Sequence, residues 1–313
     1  MKIGFLFPGQ GSQSVGMGKD IYEKYESASK VYAKVKEITG IDIANLSFEG
    51  PEETLNETKN TQLAILTMSL ALLEILKENN ITCEMSAGLS LGEYSALINS
   101  EVLSFEEGIK LVQKRGQFMQ ELLPKGDWQM AAILGMTEEQ VNEVCKKVSS
   151  GFVVPANYNS VGQIAISGEK DAVLEAESIA KEMGAKKVVV LKTAGPFHTE
   201  KLIDASSALK TELKNITINK FKSKVIKNID GTEYKDTEDI KEILAKHIVS
   251  PVRFSKSLQN MIEAGIDTFI EIGPGKTLSG FLKRIPTDKK IKILNINNIS
   301  NLEETIKIIK EEM

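Results

Sequence analysis

Between residues 59 and 78 apolar side chains run almost all the way round the helical wheel: Leu63, Ile65, Leu66, Met68, Leu70, Leu72, Leu73, Ile75 and Leu76. A helix with so little polar face belongs inside a protein. Ahead of it, residues 2–7 are a short apolar run closed by a Pro-Gly-Gln-Gly-Ser loop. That run is too short for a signal peptide or a membrane span and reads as a first buried strand. Behind it, 81–87 is a strand-like approach that turns abruptly into helix at GLSLGEYSALI. Residues 104–123 repeat apolar positions at helical spacing and stop at Pro124 and Gly126.

The pattern then changes period. Residues 129–134 predict a strand and 137–149 a helix opened by Thr137. Strands follow at 152–158 and 163–168, joined by Asn159, Ser160, Val161 and Gly162, then a helix at 170–183 and a strand at 187–191. This β-α-β-β-α-β order is the split βαβ, ferredoxin-like pattern. It predicts a small domain at 127–195 inserted into a larger one made of 1–126 and 196–313. The larger unit continues with a helix from His198, a strand at KVIKNID (224–230) and a helix at 237–248. DTFIEIGPGK (267–276) is strand, tight loop and new helix, and KIKILNI (290–296) a last strand. Ser300, with Glu303 three residues on, predicts a capping box for the final helix. Strands alternating with helices on both sides of the insert predict an α/β fold with a mostly parallel sheet covered on both faces.

Composition narrows the function classes. The 313 residues carry 39 basic against 43 acidic side chains, a net charge of -4, which argues against nucleic acid as the main partner. Two cysteines, Cys83 and Cys145, cannot build a disulfide framework, and the two histidines, His198 and His247, make no zinc-like cluster. The expectation is a cytoplasmic enzyme that engages no membrane, with a monomer as its expected state.

Gly88-Leu89-Ser90-Leu91-Gly92 fits G-x-S-x-G. After a strand and before a helix, that motif makes a sharp turn that strains the serine backbone and projects its Oγ. The Leu91 N–H at the helix start is then one candidate oxyanion donor. The bland alternative is an ordinary glycine-flanked helix start. A serine needs a neighbouring base, and His198, in a loop after a strand, suits that role better than His247. The latter sits on the apolar face of its helix and reads as a buried histidine with satisfied hydrogen bonds. Between serine and histidine no Asp or Glu occupies a clear strand-end loop, so either a carbonyl or a carboxylate could orient the imidazole. On the 104–123 helix, Arg115 falls inside the apolar sector between Gly108 and Leu122. A buried guanidinium demands a negative partner: a structural ion pair, or a substrate carboxylate gripped in a pocket.

FPGQGSQ (7–13), GLSLGEYSAL (88–97), KRGQFMQ (114–120), ANYNSVGQIAISG (156–168), GPFH (195–198), SPVRF (250–254) and EIGPGK (271–276) resemble, in order, the motifs of malonyl-CoA:acyl-carrier-protein transacylases. The resemblance spans nearly the whole chain. It implies an α/β-hydrolase-like large domain with a ferredoxin-like insert, Ser90 as nucleophile and His198 as base. It further implies backbone N–H groups of Gln10 and Leu91 as the oxyanion hole and Arg115 as the partner of the malonyl carboxylate. The backbone carbonyl of His247, where the family usually has Gln, would orient His198. Met119, Asn157 and Phe197 are expected to line the pocket. Malonyl-CoA and an acyl carrier protein are the implied partners, and no metal or redox cofactor is required. Two departures stand out: Leu89 replaces the His common before the nucleophile, and Val161 a frequent Pro. Phe197 resembles the bulky residue of malonyl-selective polyketide acyltransferases.

Overall fold

The computed structural model describes residues 1–192 and 195–312. Among the described residues the nine strands are β1 (Ile3–Phe7), β2 (Met85–Gly88), β3 (Trp128–Leu134), β4 (Val153–Ser160), β5 (Gln163–Glu169), β6 (Lys187–Val190), β7 (Lys224–Ile226), β8 (Thr268–Ile272) and β9 (Lys292–Ile296). Five of them form a wholly parallel sheet in the order β7-β2-β1-β8-β9. The other four form an antiparallel sheet in the order β4-β5-β3-β6. Each of the five residues of β1 is buried, as a central parallel strand covered on both faces requires.

Helix Thr58–Glu78 has 17 of its 21 residues buried. It lies in the main core with β1 and helix Phe105–Glu121. The two helices meet closely at Gly116, where a Cβ would stand 2.8 Å from the Lys59 Cα. Ser69 Oγ donates 3.1 Å to the Ile272 carbonyl, tying the buried helix to the end of β8.

Backbone bonds tie the antiparallel sheet to the segment after His247. Tyr158 N–H donates to the Val252 carbonyl and Val252 N–H to the Ala156 carbonyl, both at 2.8 Å. These bonds bring the middle of β4, including Asn157, against the SPVRF segment.

Several expectations change on inspection. The strand expected at 224–230 ends at Ile226, because Lys227 and Gly231 close a turn in which the Gly231 N–H donates to the Lys227 carbonyl. The helix expected from His198 begins as a 3₁₀ turn at Glu200–Leu202 and becomes α-helical only at Ile203. The last helix starts at Ile299. Its cap is a reciprocal pair, Asn301 N–H to Asn298 Oδ1 and Asn298 N–H to Asn301 Oδ1, in place of Ser300 and Glu303. Glu303 instead pairs with Lys24. Helices at Glu26–Thr39 and Phe254–Glu263 add to the elements that the sequence pattern predicts. Thr193 and Ala194, near the expected end of the insert, lie outside the described residues.

Candidate active site

The carboxyl ends of β1 and β2 open into a crevice, the usual location of a site in an open parallel sheet. Ser90 lies two residues past the end of β2 and has φ +52°, a left-handed conformation that is costly for a residue with a Cβ, on the order of 1–3 kcal/mol. The turn works because Gly92 lies against β1: a Cβ there would be 2.1 Å from the Phe7 carbonyl oxygen. Helix Gly92–Asn99 starts immediately after, with Leu91 as its N-cap.

Ser90 Oγ lies 2.7 Å from His198 Nε2. His198 Nδ1 lies 3.1 Å from the His247 carbonyl oxygen. A carbonyl can only accept, so Nδ1 carries the proton and Nε2 presents its lone pair to the serine. Burial drives the His198 pKa down to about 4, with the Arg115 charge pushing the same way, so the imidazole is neutral at neutral pH.

Arg115 is fully buried, on the face of its helix turned to the core. Its Nη2 donates 3.1 Å to Ser90 Oγ and its Nη1 donates 2.6 Å to Gln62 Oε1. The guanidinium also lies over the Tyr94 ring, 5.2 Å from the centroid. Its Nε–H, on the same edge as Nη2, is buried without an acceptor. Among the described residues no carboxylate comes within ion-pair distance, so a structural ion pair does not account for this charge. Burial lowers its pKa, while Tyr94 and Glu93 act to raise it.

The loop after β1 faces the serine from the other side. The Gln10 side chain turns away to donate to Thr58 Oγ1 at 3.3 Å, and Ser12 Oγ donates to the Gly9 carbonyl at 2.7 Å. Among the described residues neither the Gln10 nor the Leu91 N–H has a backbone acceptor. Free backbone amides of this kind are the donors an oxyanion requires.

A cavity of about 110 Å³ adjoins Ser90 and His198, and Met119, Asn157 and Phe197 line it with Gln10, Leu89 and Met130. Leu89 therefore gives this wall an apolar side chain. A wider channel shares Gln10, Leu89, Asn159 and Leu191 with it and is also bordered by Gln163 and Phe281. His247 does not line the cavity. Its ring stacks behind His198, and contrary to expectation both ring nitrogens lack a hydrogen-bond partner among the described residues.

Sequence reasoning missed the buried residues behind the serine. Glu93 is fully buried, and burial pushes its carboxyl up to about 7 although Tyr234 O–H and Asn228 N–H both donate to it. One of its oxygens lies 3.3 Å from His247 Nδ1. Burial is the main cause that holds His247 neutral, with the nearness of the His198 ring and the Arg115 charge acting the same way, so this contact is no ion pair. An acid is thus present near the site, but it faces the second histidine. Gln62 was missed as well; a Gln on an otherwise apolar helix was the available signal.

The chain belongs to the acyl transferase family, whose domain model matches residues 4–294. Within that family its relatives are malonyl CoA-acyl carrier protein transacylases. The Bacillus subtilis protein of that name is 44% identical over 99% of this chain and 98% of the relative. A crystal structure of the Clostridium perfringens transacylase superposes with a TM-score of 0.94 at 45% identity, covering 100% of this chain and 98% of the other. A malonyl-transacylase in complex with its type II polyketide acyl carrier protein matches with a TM-score of 0.94 at 34% identity, covering 98% and 100%.

Proposed function

We propose that this protein moves a malonyl group from malonyl-CoA, through an ester on Ser90, to the phosphopantetheine thiol of an acyl carrier protein for fatty-acid elongation. The observation that carries the reading is Arg115: a buried guanidinium without a carboxylate partner, one N–H on the serine oxygen and another on the same edge unused. An acyl group on Ser90 that ends in a carboxylate would meet that edge in a two-pronged pair.

In the proposed cycle Ser90 Oγ attacks the thioester carbonyl and gives its proton to His198 Nε2. The Nδ1–H bond to the His247 carbonyl holds the tautomer. The Gln10 and Leu91 amides take the oxyanion, each such donor contributing roughly a hundredfold or more in rate. As the tetrahedral intermediate collapses, the C–S bond breaks and His198 returns the proton to the departing CoA sulfur. The carrier thiol then attacks the malonyl ester by the same steps. Apolar walls from Leu89, Met119 and Phe197 support a short acyl group sheltered from water.

The strand order β4-β5-β3-β6 with two helices supports a ferredoxin-like insert at 127–195, between the 1–126 and 196–313 parts of a hydrolase-like unit. For carrier docking, Arg284 is the favoured basic residue over the Lys220–Lys224 cluster. Arg284 donates to Gln163 at the channel wall, whereas Lys222 and Lys224 face Glu101 and Glu233. Incubation with malonyl-CoA and a holo acyl carrier protein tests the reading: it requires malonyl-carrier to form, and release of free malonate with no carrier product would contradict it.

A further inference from the structure

The strained serine turn needs something to hold it, and the nearest candidate lies far away in sequence. The Ser90 N–H donates 2.7 Å to the Asn228 side-chain oxygen, and the Asn228 amide nitrogen donates 2.7 Å to the Gly88 carbonyl. A single carboxamide thus clips the residue two positions before the nucleophile and the nucleophile itself. Asn228 is fully buried and held on both sides by its own backbone. Its N–H donates 3.1 Å to the Glu93 carboxylate and its carbonyl accepts 2.7 Å from the Arg253 N–H. Glu93 belongs to the helix that opens beneath Ser90, so the support returns to the turn it stabilises.

We propose that Asn228, anchored by Glu93, is a positioning residue that fixes the Ser90 turn, aiming Oγ at His198 and reserving the Gln10 and Leu91 N–H groups for the oxyanion. The Ser90 N–H is consumed by the clip, which leaves those two amides as the free donors at the turn. Asn suits the place for a chemical reason, since one end of its side chain must accept and the other donate. An ionised carboxylate would set an oxygen against the Gly88 carbonyl. A protonated carboxyl would restore both bonds.

That difference supplies the test, which rests on the acyl-transfer reading but is built to be separable from it. Asn228→Ala and Asn228→Asp are compared with the parent by steady-state malonyl transfer and by labelling of Ser90 with an alkyl fluorophosphonate. In the labelling step the Ser90 oxygen bonds to phosphorus, fluoride leaves and His198 takes the proton; it needs an aimed serine but no malonyl substrate. At about pH 8 both variants are expected to lose about 100-fold in kcat and in labelling rate, with KM for malonyl-CoA within about threefold. Toward about pH 5.5 Asn228→Asp is expected to recover at least about tenfold relative to the parent. The introduced carboxyl would be buried beside Glu93, itself pushed up to about 7, with Lys227 and Asp230 on the same turn, and takes up a proton while His198 is still neutral. The proposal falls if either variant labels within about threefold of the parent at pH 8, or if folded Asn228→Asp shows no low-pH recovery. Should Asn228→Ala not fold, the Asn228→Asp profile decides. A parent that labels but never transfers malonyl would overturn the acyl-transfer reading, and the labelling rates would still judge Asn228.

Discussion

His198 and His247 meet twice: the His198 Nδ1 lies 3.1 Å from the His247 carbonyl, and the rings stack with centroids 5.2 Å apart and planes 27° from parallel. The first contact is made by backbone and does not depend on the His247 side chain. Replacing His247 by Gln is therefore expected to leave the acylation rate within about threefold of the parent. His198→Ala is expected to lose about a thousandfold or more, the range of a positioned general base. Rapid-quench measurement of the first turnover compares the two. A large loss in His247→Gln would give the buried imidazole a part in catalysis.

The pH dependence follows from the depressed His198 pKa. The ring acts as a base only when neutral, so activity is present above about 4 and is lost as the pH falls through that value. Burial is the larger cause and the Arg115 charge the next. Removing the charge in Arg115→Ala should move the acid limb of kcat/KM to higher pH, still below the ordinary value of 6.5. A limb that stays put or moves down would contradict this coupling. Fluorophosphonate labelling across pH reads the limb without relying on malonyl binding.

Arg115→Ala should also separate substrates. A charge-assisted hydrogen bond contributes about 1.5–3 kcal/mol, and a two-pronged pair more. Malonyl transfer is expected to fall about 100-fold while acetyl transfer changes less than about tenfold. Side-by-side kcat/KM values with the two CoA esters check this, and equal losses would remove the carboxylate role.

Much of this site could be read in the chain before any coordinates. Ser90 announces itself by glycine spacing between a strand and a helix, and Arg115 by a charge inside an apolar helical sector. Both are local patterns. Gln62, Asn228 and Glu93 act through partners 53, 138 and 135 residues away, and periodicity carries no record of such pairings. Helix Glu26–Thr39 is a different kind of omission. Ala28, Val31, Tyr32 and Val35 recur at helical spacing and are all buried, so the chain does carry its pattern. The strand expected to run to residue 230 failed because a turn at Lys227 takes over a segment that reads apolar only through Ile229.

Gly92→Ala tests the packing under the serine. The added methyl would meet the Phe7 carbonyl oxygen at 2.1 Å, a backbone atom in a central strand that cannot swing aside. Overpacking of this kind costs about 3 kcal/mol or more. Urea denaturation should show a clearly lower midpoint, with Ser90 labelling reduced even under folding conditions. A midpoint equal to the parent's would mean that the strand and the turn are less tightly apposed.

The central claim is that Ser90 carries the acyl group, and intact-mass measurement after brief incubation with malonyl-CoA, without carrier protein, tests it most directly. The parent chain is expected to gain one malonyl group and Ser90→Ala none. An adduct of the same size on Ser90→Ala, or CoA release by the parent with no adduct at any time, would contradict the account.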